Sequence, residues 1–414
     1  MAEAAPEHES FATRNIALLS VAAAITGSNQ AIVIAVSALL SAHLAPLPGL
    51  ATLPVTISIV ALALTVRPAT SLIYRIGRKG AFMVGAAMAM VAGVLAPIAV
   101  IQESFGLFCF AIVFIGISGA FGQQYRFAIA DSVGEALRPK AISLVLLGGV
   151  AAGFLGPRLS FLTKDLFEGA QFAGSFIAWV VMGFVALGVL AATRLAPVPP
   201  KAVTAAAGGR SNGELLRNPL IIVPMVTAML SYSLMILVMV AAPLTMVYEF
   251  GHSVEQATTA IQWHIVAMFL PSLITGDVIG RIGAPATIGI GLGLLLIAVA
   301  TNLSGHTVTH FNVALMLLGM GWNFGFIGST ALLAGTYRPE EAARVQGLNE
   351  PFVFGAMAVA SISSGLLLQG VGWLSINVLV IPLVGVGLVA LVWRQTAQRK
   401  TTFACASQAL SGDD

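Results

Sequence analysis

Residues 50–80 read LATLPVTISIVALALTVRPATSLIYRIGRKG, and residues 256–286 read QATTAIQWHIVAMFLPSLITGDVIGRIGAPA. A shift of 206 residues lays one stretch on the other. Ala51, Thr52, Ile59, Val60, Ala61, Leu64, Ile73, Arg75, Ile76 and Gly77 then coincide with Ala257, Thr258, Ile265, Val266, Ala267, Leu270, Ile279, Arg281, Ile282 and Gly283. The same shift brings Glu135 and Arg138 onto Glu341 and Arg344. Apolar composition alone produces chance matches, but not an Arg-Ile-Gly triplet and a Glu-x-x-Arg pair at one offset. The chain therefore reads as a duplicated unit, a construction common among carriers that expose a central site alternately to two sides.

The rest of the sequence says what the unit is made of. Of 414 residues, 58% are hydrophobic and 9% charged, whereas a soluble domain carries about 25% charged residues. Apolar runs of membrane-crossing length are predicted at 15–42, 51–73, 80–101, 105–130, 141–162, 170–193, 219–244, 257–279, 285–304, 311–334, 350–369 and 374–393. The expected fold class is an all-α polytopic membrane protein with 12 transmembrane helices in two six-helix repeats. Residues 1–194 form one six-helix bundle and 219–393 the other. The Pro-, Ala- and Gly-rich stretch 195–218 links them, and 394–414 is a tail.

Of the basic residues, Arg14, Arg75, Arg78, Lys79, Arg138, Lys140, Arg194, Lys201, Arg210, Arg217, Arg281, Arg338, Arg344, Arg394, Arg399 and Lys400 fall on one side of this map, against Arg158 and Lys164 on the other. The positive-inside rule puts the crowded side, with both termini, in the cytoplasm. The first thirteen residues carry Glu3, Glu7 and Glu9 and no basic n-region, so a retained first span is expected rather than a signal peptide.

Several chemistries are excluded. There is no GxxxxGK[ST] run, so direct ATP drive is not expected, and no basic patch interleaved with aromatics suggests nucleic acid. Cys109 and Cys405 have no disulfide or metal spacing. His306 and His310 are four apart with no acidic ligand following. Gly289, Gly291 and Gly293 follow no strand and read as helix-packing positions. With no nucleophile–base pair in any span, no enzyme, cofactor or metal is expected.

Tyr74-Arg75-Ile76-Gly77-Arg78-Lys79 resembles the loop signature of the major facilitator superfamily, with Thr70 at the signature's leading Gly and Tyr74 at its acidic position. The second copy runs from Gly276 to Gly283, with Gly280 at the acidic position. The resemblance implies a cytoplasmic latch built on Arg75, Arg78 and Arg281. Gly153-Phe154-Leu155-Gly156-Pro157 is similar to the superfamily's antiporter motif without its trailing glycines; it reads as exchange or as a simple proline kink. Residues 121–131 (FGQQYRFAIAD), 262–272 (QWHIVAMFLPS), 321–324 (GWNF) and 345–350 (VQGLNE) together resemble a proteobacterial branch associated with riboflavin-uptake carriers.

Polar groups inside spans cost free energy and mark candidate sites, the alternative being helix–helix glue. Asn29 and Gln30 lie near the middle of the first span, with Tyr232 at similar depth in the seventh. Gln123, Tyr125 and Arg126 lie in the fourth. Arg126 suits an anionic or carbonyl-rich solute, or an inner gate closed by Asp131 or Asp277. Trp263 and His264 lie in the eighth span; His264 is the one histidine inside a span, a coupling group or a satisfied polar residue. Trp322 and Asn323 sit mid-span in the tenth, where an aromatic plane beside an amide suits a flat heterocycle. The expected function is secondary transport of a small organic solute by alternating access, with riboflavin uptake as the substrate the resemblance implies. Efflux of drugs or metabolites by exchange is the alternative.

Overall fold

The structure is a computed structural model that describes residues 11–134, 137–197, 209–338 and 341–411. Glu3, Glu7, Glu9, Glu135 and Lys201 lie outside the described residues, as do the side chains of Arg399, Lys400 and Cys405. Apart from short turns, the described elements are helices: α1 (Ala12–Leu44), α2 (Leu53–Ile101), α3 (Phe105–Gly122), α4 (Tyr125–Ala130), α5 (Arg138–Leu146), α6 (Gly148–Thr163), α7 (Ala173–Ala191), α8 (Asn212–Arg217), α9 (Pro219–Leu244), α10 (Val254–Phe269), α11 (Ser272–Ile282), α12 (Ala284–Ser304), α13 (Val308–Ala334) and α14 (Ala342–Ser411).

Among the described residues, nine helical stretches are long and apolar enough to cross a membrane, and ten if the pair α10–α11, bent by 43°, counts as one. Two of the nine span 54 and 55 residues, about 80 Å each if straight at 1.5 Å per residue, far beyond a hydrocarbon core of about 30 Å. Both are broken by a glycine in the left-handed region, Gly77 at φ 80° and Gly372 at φ 78°. Side chains rarely adopt that conformation and glycine adopts it freely. Gly283, the repeat mate of Gly77, ends α11 at φ 84°, ψ 155°, against 80° and 164° at Gly77. The two glycines that the 206-residue shift pairs thus share one backbone conformation.

Close packing also recurs at the repeat offset. A Cβ on Gly85 would lie 2.7 Å from Phe121, and one on its mate Gly291 would lie 2.7 Å from the carbonyl of Gly321, so α12 and α13 meet backbone to backbone. Interhelical polar pairs pin the bundle: Asn302 with Asn377 (2.8 Å), Thr227 with Ser329 (2.7 Å) and Ser160 with Ser175 (3.0 Å). Each such bond is worth about 0.6 kcal/mol on average in a bilayer. The surface is apolar where a soluble protein would be charged. Leu64, Val181, Phe184, Leu374 and Val389 are each more than 60% exposed, an arrangement that lipid covers.

The packing is uneven along the helix axes. We call the end carrying Arg14, Arg75 and Arg394 the basic end, and its opposite the far end. The largest apolar cluster joins both halves of the sequence, and its first-half members (Ala31–Leu40, Ala51–Ile59, Ala89–Val100, Phe108–Ile115 and Ala170–Trp179) all belong to the far-end portions of their helices. At the basic end two separate clusters form instead. One is confined to first-half residues such as Leu19, Phe82 and Tyr125, the other to second-half residues such as Leu215, Met225 and Val345. The expected linker is in part ordered: Ser211 and Glu214 form a capping box at the start of α8. The expected tail continues helically to Ser411.

Candidate functional site

A cavity of about 210 Å³ lies where the two halves meet, walled by α1, α2, α3, α6, α9, α10 and α14. Its polar groups, Gln30, Ser58 and Gln123, stand on the first-half wall among apolar residues such as Val33, Ile34 and Leu62. Gln30 is locked in place, because its Nε2 donates to the Ile115 carbonyl (2.9 Å) and its Oε1 accepts from Ser58 (3.0 Å). The facing wall carries Tyr232, Phe269 and the four methionines Met235, Met239, Met268 and Met357, soft side chains that adapt to a ligand's outline. Behind Tyr232 stands an aromatic stack. Its ring is edge-on to Trp322 and Phe326, each at 5.1 Å, and those two rings stack at 5.5 Å and 10°. Phe269 approaches Trp322 edge-on at 6.1 Å. Such a set presents a flat apolar surface opposite amide and hydroxyl groups, suited to an aromatic heterocycle with carbonyl and N–H edges.

The predicted site residues fall at different places: Arg126 is exposed and is not among the residues that line the cavity. Gln30, Gln123 and Tyr232 line the cavity, and Trp322 braces Tyr232 from behind. Asn29 and His264 are buried beside it, each with one unpartnered atom, Asn29 Oδ1 and His264 Nε2; His264 Nδ1 lies 2.7 Å from the Leu315 carbonyl. Tyr125 is buried toward the basic end, edge-on to Phe82, with its hydroxyl 3.4 Å from Thr26. Asn323 and Trp263 stand outside the cavity wall. Asn323 Nδ2 donates to the Met268 carbonyl (2.6 Å) and Ser272 Oγ (2.7 Å), and its Oδ1 accepts from Thr275 (2.6 Å). Its amide therefore holds the bend at Pro271, satisfying groups that the broken helix leaves open. Trp263 is 37% exposed and packs edge-on against Phe154.

The far end of the cavity is closed by contacts between the halves. The α6 glycines let α10 approach: a Cβ on Gly149 would lie 2.7 Å from the Phe269 ring, and one on Gly153 3.0 Å from Ile265. Further out, Thr56 donates to Ser361 (2.9 Å), and Tyr248 donates to the Leu39 carbonyl (3.1 Å) while lying 2.9 Å from His43 Nε2. Arg158 and Glu255 come within 3.9 Å at the rim.

At the basic end the polar groups tie each half to itself. Arg78 is buried, pairs with Asp131 and donates to the Ala196 carbonyl (3.0 Å). In the second half, Arg210 grips buried Glu341 through its guanidinium (2.9 and 2.7 Å) and its own backbone N–H (2.9 Å), and the backbone N–H of Arg338 adds a fourth bond at 3.1 Å. The Arg210 guanidinium holds the Glu341 carboxyl well below the usual carboxylate range. Arg75, Asp277 and Arg281 are exposed and form no ion pair among the described residues. Between the halves a groove of about 370 Å³ opens between α2 and α14, with Arg67 on one wall and Glu350 on the other. Sequence reasoning passed over Arg67, Ser58 and the methionines. A charge at residue 67, inside the second span, was the available signal for the first.

The comparisons agree with this architecture. The profile of the Major Facilitator Superfamily matches residues 224–404. The riboflavin transporter RfnT of Brucella anthropi is 41% identical over 383 residues, covering 92% of this chain and 96% of its own length. Two uncharacterized MFS-type transporters of Bacillus subtilis are also similar: YdeG, 28% identical over 392 residues (90% of each chain), and YddS, 29% identical over 310 residues (71% of this chain, 70% of its own). On a full-length relative at this identity, with apolar helices packed about a central cavity, the chain belongs to the Major Facilitator Superfamily and is a multi-pass membrane transporter.

Proposed function

We propose that this protein takes up riboflavin across the bacterial inner membrane by alternating access through the cavity between its halves. The observation that carries the reading is the cavity itself, where the polar groups of Gln30, Ser58 and Gln123 face an aromatic and methionine wall. That pairing suits the isoalloxazine ring, with carbonyl and N–H groups along one edge and methylated carbons along the other. The similarity to a riboflavin transporter over 92% of the chain supports the same substrate.

The count of spans is part of the proposal. Dividing the two overlong stretches at Gly77 and Gly372, and taking α10–α11 as one bent span, gives twelve, six before the linker at 195–218 and six after it. Both termini and the basic end then face the cytoplasm, as the distribution of Arg and Lys favours. In this orientation the structure is the inward-open state. Gln30, Gln123, Tyr232 and Trp322 form or brace the binding wall, Asn29 and His264 stand in reserve beside it, and Asn323 fixes the bend that carries Met268 and Phe269. Trp263 with Phe154 flanks the outer junction. Arg78 with Asp131, Arg75, Asp277 and Arg281 form the cytoplasmic gate. The antiporter-like stretch has a packing role of its own, because Gly153 admits α10, so exchange is not the favoured reading.

The test is growth and labelled-riboflavin uptake in a bacterium that neither makes nor imports riboflavin, with and without this gene. Rescue at low external riboflavin, lost in Tyr232→Ala or Trp322→Ala protein that still reaches the membrane, is the expected result. No rescue by membrane-inserted wild type would remove riboflavin uptake and bring efflux forward.

A further inference from the structure

The central cavity does not end at its polar groups. Three residues beyond Gln123, about one helical turn, Arg126 is exposed, its guanidinium 4.8 Å from the centroid of the Phe127 ring. Tyr232, in the cavity wall, and Glu350, on the opposite half, are the ionisable groups whose fields reach it. Arg67 lines the adjoining groove with Glu350, its guanidinium passing over Gly347, where an added Cβ would lie 3.8 Å away. Neither Arg67 nor Arg126 has a carboxylate within ion-pairing distance among the described residues. Two guanidiniums at membrane depth against one carboxylate leave a net positive opening next to the ring site, and an ionisable group at that depth is a site by default. Guanidinium groups bind phosphate in bidentate fashion and more strongly than they bind a neutral hydroxyl.

We infer that the protein also binds the phosphate monoester of its flat-ring solute, with the ring in the central cavity and the phosphate on Arg126, supported by Arg67. The inference rests on the proposed substrate. A neutral polyol tail reaching Arg126 gains ordinary hydrogen bonds; a terminal phosphate gains a charge-assisted pair and competes with Glu350 for the same cation.

The test uses purified full-length protein and the quenching of flavin fluorescence on binding, with riboflavin and riboflavin 5′-phosphate as separate ligands. Wild type is expected to bind both. Arg126→Gln is expected to weaken the phosphate ester by about tenfold, the loss of one charge-assisted contact, while riboflavin binding changes far less. Glu350→Gln removes the competing anion and is expected to tighten the ester by about threefold, the scale of one screened charge, and to leave riboflavin unchanged. Inorganic phosphate at equal concentration is expected to displace neither ligand. Riboflavin binding without ester binding, or equal losses for both ligands in Arg126→Gln, would overturn the inference. Failure of both ligands to bind would remove the proposed substrate instead.

Discussion

The two ends of this molecule solve the same packing problem in opposite ways. At the far end, glycines on α6 bring α10 close, Thr56 bonds Ser361, Tyr248 bonds back to α1, and one apolar cluster runs through both halves. At the basic end the apolar cluster divides in two, and the strongest polar contacts stay inside one half: Arg78 with Asp131, and Arg210 with Glu341. The far-end junction is thus made of many weak contacts, small residues and single hydrogen bonds. The basic end is made of a few charged ties, Arg78 with Asp131 and Arg210 with Glu341, each inside one half. A junction that opens and closes needs the first kind of contact, and a half that moves as a body needs the second.

Four substitutions test this contrast. The largest effect is expected at the α6–α10 approach. Gly153→Leu drives a side chain into Ile265 and the Val266 backbone, where a Cβ alone would already lie 3.0–3.2 Å from its neighbours. Overpacking of this kind costs about 1–3 kcal/mol, so uptake is expected to fall by about tenfold or more while each half keeps its fold, read by transport and by protease resistance. Second comes the bend: Asn323→Leu strands Thr275, Ser272 and the Met268 carbonyl together, and thermal unfolding is expected to shift by the equivalent of about 1–3 kcal/mol. Third, Tyr248→Phe removes the far-end hydroxyl that donates to the Leu39 carbonyl and meets His43. About 0.6 kcal/mol corresponds to a shift of about threefold toward the state open at the far end, measurable as faster labelling of a far-end cysteine. The smallest effect is a pH dependence that stays flat. Because Glu341 is held below its ordinary pKa of about 4.3, its stabilising tie is complete above that value and is lost only as pH falls through the lower folded value. The difference in unfolding temperature between wild type and Glu341→Gln is therefore expected to be constant from pH 5 to 8 and to narrow only under stronger acid.

Much of this was legible in the sequence, and the residues that were not share a physical reason. Arg75-Ile76-Gly77 and Arg281-Ile282-Gly283 marked two matching helix breaks because a left-handed glycine after a basic turn is a local requirement, written in local residues. Depth was legible too, since position along a helix follows from residue number at about 1.5 Å each. Azimuth was not. Trp263 and Asn323 have the right depth for the cavity, but one faces Phe154 and the other faces the bend, and only the neighbouring helices decide that. Met235, Met239, Met268 and Met357 looked like ordinary span residues because nothing in a span's composition separates a cavity wall from a packed core. Arg67 was overlooked because the charge map counted loops. An arginine in mid-span was itself the clue.

The central claim, that solute passes through this cavity by closure of one end as the other opens, is tested most directly by two distances in one protein. With Cys109 and Cys405 replaced by serine, spin labels on Arg75→Cys and Arg281→Cys report the basic end, and labels on Leu47→Cys and Glu255→Cys report the far end. On adding riboflavin to protein in lipid, a second population is expected in which the basic-end distance shortens and the far-end distance lengthens together. Two distances that change in the same direction, or stay fixed while the same preparation transports riboflavin, would contradict it.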